Sequence, residues 1–167
     1  MGSGISGNYI GTLEKSQQYT ALYHVDKTML DLDKKDKDIY NPTNGYFHNP
    51  TSTKLENAIE NNEIRVNGEV LDGIMTYVIN KNGDFIFAKR YNPNNPNKRS
   101  PHPTLIGGID PVVKCAGMVE FIDGKIISIN NRSGHFKPNI KSLKEAYKAL
   151  QKIKEKYPSV FINFEWR

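Results

Sequence analysis

Cysteine occurs once in this chain of 167 residues, at position 115, which excludes a disulfide framework and a cysteine-based zinc site. Nowhere do apolar residues run on for the roughly 18 positions that a membrane-crossing helix needs. Several short motifs are missing as well: G-x-x-x-x-G-K-[ST], G-x-G-x-x-G after a strand, H-E-x-x-H, and H-x-E with P-C-x-x-C. Their absence leaves triphosphate-binding, dinucleotide-binding, zincin and zinc-deaminase readings without support. Cys115 lies in the apolar run V-V-K-C-A-G, where a cysteine is expected to act as a small buried residue rather than a nucleophile paired with His135.

What the chain does have is positive charge. Lys and Arg number 23 against 18 Asp and Glu, a balance that favours an anionic partner such as RNA or a nucleotide. Length and a hydrophobic content of 37% are enough for one substantial core. Residues 1–7, MGSGISG, read as a cloning scar or disordered start, and residues 8–167 as a single domain that has been excised from something longer.

Hairpin signals recur along the chain. Met118–Ile122 and Lys125–Ile129 flank Asp123-Gly124, Ile64–Val66 and Val70-Leu71 flank Asn67-Gly68, and Ile74–Ile79 and Phe85–Ala88 flank a Lys81–Asp84 turn. Tyr19–Val25 has strand composition, and Asp31–Asp38 reads as a solvated loop. Leu55, Ala58 and Ile59 mark a short helix capped by Thr51 or Ser52. Leu143, Ala146, Tyr147, Leu150 and Ile153 mark a longer one, with Ser142 and Glu145 as a capping box. Tyr157-Pro158 ends it, and Val160–Phe164 supplies a last strand. Lys89–Pro103, with four prolines and four asparagines, reads as an exposed loop without regular structure. Tight turns rather than helical crossovers join most strands, which predicts an α+β fold: one mainly antiparallel twisted sheet with two helices packed on it.

Two of the four histidines, His102 and His135, fall in basic, turn-rich loops. A pair of imidazoles facing one phosphodiester can serve as general base and general acid in RNA cleavage by the 2′-hydroxyl, without a metal or other cofactor. Cations must then face the charge growing on phosphorus, and Arg132, Lys137, Lys89 and Arg99 are the candidates, with Arg90, Lys98 and Lys114 behind them. Ser133 can hydrogen-bond a phosphate oxygen or orient His135. The competing bland reading makes Ser133-Gly134 a turn, with His135 and Phe136 tucked under the final helix.

From about Val70 to Leu150 the order of features resembles the domain of plant IQ-motif-containing calmodulin-binding proteins and their bacterial and fungal relatives. The correspondence rests on His102-Pro103-Thr104-Leu105 with Gly107-Gly108, Ala116-Gly117, Asp123-Gly124, and Ser133-Gly134-His135-Phe136-Lys137-Pro138. Pro103 and Thr104 stand where that pattern has serines, and no I-Q-x-x-x-R-G-x-x-x-R helix is present. The resemblance implies the fold unit, and it allows a non-catalytic module that binds a partner protein. In size and composition the chain is also similar to C-terminal toxin domains of polymorphic secreted proteins. That likeness implies delivery into a target cell, action in its cytoplasm and a cognate immunity protein. A third likeness, L-Y-H around His24, is to ADP-ribosyltransferase toxins, and implies an NAD site of His24 with Glu120 or Glu165.

Overall fold

The computed structural model describes residues 21–92 and 95–166, without the side chains of residues 92 and 95–98. The expected start of the first strand at Tyr19, the first seven residues and the Lys98 side chain therefore lie outside what is described. Six strands form the central sheet: β1 (Thr53–Lys54), β2 (Gly73–Ile79), β3 (Phe85–Ala88), β4 (Cys115–Ile122), β5 (Lys125–Ile129) and β6 (Phe161–Trp166). Their spatial order is β6-β5-β4-β2-β3-β1, antiparallel throughout except that β6 runs parallel to β5. Together with the helices α1 (Lys27–Asp33) and α2 (Leu143–Lys156), this is the expected α+β architecture.

Local chemistry explains the hairpins. Between β4 and β5, Asp123 and Gly124 both take positive φ, 49° and 74°, as a two-residue turn matched to the twist of the strands requires. The Asn67-Gly68 turn repeats the geometry at 53° and 82°. Alternation then sorts the side chains. Cys115, Val119 and Phe121 of β4 join Met75, Tyr77 and Ile79 of β2 on one face, where Leu143, Ala146, Leu150 and Ile153 of α2 cover them. Phe87 and Phe121 are fully sealed in this core, and each burial is worth roughly 1.5–3 kcal/mol. The opposite face holds a smaller core of Val78, Ala88, Leu105, Val113, Ala116 and Phe136.

Several expectations need correction. Asp31–Asp38 is not a solvated loop: α1 reaches Asp33, whose side chain is buried, and Asp26 caps the helix by accepting the Met29 N–H at 3.3 Å. A helix around Leu55 amounts to one 3₁₀ turn, Leu55–Asn57, preceded by Lys54 rather than capped by Thr51 or Ser52, since Thr53–Lys54 pairs with β3 and Ile59–Glu60 with Glu63–Ile64. The capping box at Ser142 is absent, because a 3₁₀ turn, Ile140–Ser142, precedes α2 and places Ser142 already in helical geometry. Its hydroxyl donates to Cys115 Sγ instead, at 3.2 Å. Cys115 is buried as expected, and burial pushes its thiol up to about 11. Tyr157, caught before Pro158, leaves helical geometry and ends α2 as anticipated. Lys89–Pro103 is not structureless: Tyr91–Asn92 pairs with Asn95–Arg99, and His102–Leu105 forms a 3₁₀ turn buried against the sheet.

Candidate functional site

The sheet face away from α2 carries a cavity of about 680 Å³. Its floor is Ile74 and Thr76 of β2 with Met118 of β4, and Met29 of α1 lies among its lining. Proline and hairpin chemistry build one wall. Arg99 pairs with Tyr91, and Ser100 N–H donates to the Arg90 carbonyl at 2.6 Å, so the base of this arm holds both arginines at the cavity. Pro101 then starts the 3₁₀ turn, Thr104 closes it by donating its hydroxyl to the Pro101 carbonyl at 2.6 Å, and Leu105 anchors it in the second core.

That turn drives His102 inward rather than out to solvent, against the exposed loop expected for it. Only 7% exposed, the ring donates Nε2–H to the Gly117 carbonyl at 2.8 Å. Burial pushes the imidazole down to about 4, with the Gly117 bond opposing and the neighbouring His135 and Arg90 adding to the fall. A neutral ring with Nε2–H committed carries its lone pair on Nδ1. Nδ1 can accept a proton but has none to give.

The opposite wall is the S-G-H-F-K-P loop, which α1 grips at both ends. Phe136 is the apolar anchor, buried in the second core. Ser133 turns the chain by accepting the Phe136 N–H on Oγ at 3.2 Å and the Lys137 N–H on its carbonyl at 2.8 Å. At the start of α1, Asp26 N–H donates to the His135 carbonyl at 2.6 Å, and Asp26 pairs with Lys137 at 3.4 Å. The Met29 N–H, helped by Lys137, holds the Asp26 carboxyl below the usual carboxylate range against the opposing effect of desolvation. At the far end of α1, Asp33 accepts from His135 Nε2 at 2.9 Å and from the Tyr46 hydroxyl at 2.6 Å. Tyr46 is itself fixed by two backbone bonds with Gly108, of 2.8 and 2.9 Å. Burial, then the Asp33 carboxylate, pushes its phenol up, so the hydroxyl remains a donor. A carboxylate bound to one imidazole nitrogen sets the tautomer and aim of the other.

His102 and His135, expected as a pair, thus line one cavity, with Ser133, Arg99 and Arg132 as lining neighbours. Arg90, a reserve candidate, lines it too. Lys137 and Lys89 are not among the lining residues: Lys137 is held by Asp26, and Lys89 is exposed just after β3, ahead of the arm. Lys114 pairs with Glu145 of α2 at 3.7 Å. The alternative NAD residues are not among the lining of this cleft, although Glu120 borders its floor next to Ile74. His24 is exposed and bonded to Asp110 at 3.0 Å, Glu120 sits in β4 opposite Ile74 and Ser128, and Glu165 lines a separate groove with Glu63, Ile122 and Lys125. Among the described residues, no three His, Cys, Asp or Glu side chains gather as a metal centre requires.

Sequence reasoning missed Asp33, Tyr46 and Asn130. Asp33 stands 102 positions from His135, and only the fold joins them. Comparison with protein-family models, characterised proteins and solved structures finds no match for this chain.

Proposed function

We propose that the cleft is a ribonuclease site working by histidine acid–base chemistry, in which no step requires a metal ion. What carries the reading is one observation: two imidazoles of opposite disposition line the same arginine-rimmed cavity, one held neutral by burial and one tethered to a buried carboxylate. In the reaction, His102 Nδ1 takes the proton of a ribose 2′-hydroxyl as its oxygen attacks the adjacent phosphorus. The P–O5′ bond breaks, and the leaving oxygen takes a proton from Nδ1 of a protonated His135, whose Nε2–H stays on Asp33. The products are a 2′,3′-cyclic phosphate and a 5′-hydroxyl. Arg90, Arg99 and Arg132 face the charge that grows on the phosphoryl oxygens.

The test is incubation of single-stranded RNA with the protein and EDTA, followed by end-group analysis. Cyclic phosphate ends are expected, with an acidic limb of kcat/KM near pH 4 where His102 becomes protonated. His102→Ala and His135→Ala should each cost about 10²–10⁴-fold. RNA left intact by stoichiometric protein refutes the reading. Use as a toxin delivered into another cell rests on size and composition alone. It predicts growth arrest on cytoplasmic expression that His102→Ala relieves.

A further inference from the structure

Asn130 follows β5 beside the cavity and is held by four hydrogen bonds. Its Oδ1 accepts two backbone donors, Met118 N–H at 3.0 Å and Arg132 N–H at 2.9 Å. Its backbone N–H donates to the Met118 carbonyl at 3.1 Å, and its carbonyl accepts the Tyr77 hydroxyl at 2.6 Å. Two N–H donors can converge only on an oxygen, so the amide is unable to flip. Nδ2 is then the atom left over. Among the described residues the side-chain hydrogen bonds of Asn130 are those of Oδ1, and the half-buried residue lines the cavity with His102, His135 and Arg132. The strand geometry links it to the base as well: Gly117, whose carbonyl takes the His102 Nε2–H, lies so close to the Asn130 carbonyl that a side chain there would overlap it.

A rigid, neutral donor is well suited to one task. Arginine charge binds an anion in the ground state and the transition state alike, whereas a preorganised N–H₂ in a recessed site favours an oxygen whose charge rises during reaction. Resting on the ribonuclease reading, we infer that Asn130 Nδ2 donates to a non-bridging oxygen of the scissile phosphate, as an oxyanion donor in the cavity that the two histidines line.

Asn130→Asp is the discriminating variant, because a carboxylate still accepts both backbone N–H groups while the donor becomes an acceptor. Its melting temperature should stay close to that of the wild type. Its kcat on an oligoribonucleotide should fall about 10²–10³-fold, with KM raised as well by the new negative charge beside the phosphate. Wild type should also discriminate between the two phosphorothioate diastereomers at the scissile position, and the variant should lose that discrimination. Independently of turnover, uridine 3′-monophosphate should shift the Asn130 side-chain amide in a ¹⁵N–¹H spectrum. A shifted amide without RNA cleavage would remove the ribonuclease reading and leave Asn130 Nδ2 as a donor to a bound phosphate only. Full-rate cleavage by Asn130→Asp, or an amide unmoved at saturating nucleotide or in the absence of any nucleotide binding, overturns the assignment.

Discussion

At the scale of single residues, the chemistry proposed for the cleft depends on His102 being buried without charge. Its pKa lies near 4 in the folded protein against about 6.5 in the unfolded chain. Between those values the unfolded state binds the proton and the native state does not, so stability rises with pH across that window and is lost as pH falls through it. From pH 7 to pH 5 the loss from this group is about 2 kcal/mol, and His102→Asn should flatten that part of the profile in urea unfolding. An unchanged slope in the variant would mean that the ring is not sealed. Proline on both sides of His102 argues for exposure when read locally. What overrides it is the Leu105 anchor and the Gly117 carbonyl, neither of which a local reading supplies.

At the scale of elements, the hairpins around Asp123-Gly124, Asn67-Gly68 and Lys81–Asp84 were legible because turn residues and alternation act over a few positions. Helix α1 was not. Its acids and lysines look solvated, and the burial of Asp33 follows from partners at Tyr46 and His135. The histidine pair was legible as residue types, whereas the atoms that orient it were not, since each orienting bond spans distant sequence. Gly117 shows the same dependence between strands. A methyl group there would overlap the Asn130 carbonyl, so Gly117→Ala must push the segment after β5 away from β4. The expected cost is about 1–3 kcal/mol in denaturant unfolding, together with, on the proposed reading, a larger loss of RNA cleavage than stability alone explains. A variant as stable and active as wild type would show that the strands have slack.

At the scale of the whole molecule, the chain carries an excess of five positive charges, and the fold brings three of its arginines to one cavity. Arg90 and Arg99 arrive on the hairpin arm and Arg132 on the loop after β5, so the cleft is flanked by guanidinium groups from two separate segments. On the proposed ribonuclease reading, binding of single-stranded RNA should weaken with salt, and each of Arg90→Ala and Arg99→Ala should reduce the slope of log affinity against log salt by about 0.7. A slope untouched by either change would place the RNA elsewhere.

That two imidazoles meet at one phosphate is the claim from which the chemistry follows, and it is read most directly from the ring resonances of His102 and His135 during titration with uridine 3′-monophosphate. Both rings should shift along a common saturation curve, and Arg132→Ala should move the two curves together. Shifts in one ring only, or two curves with different midpoints, would contradict a shared site.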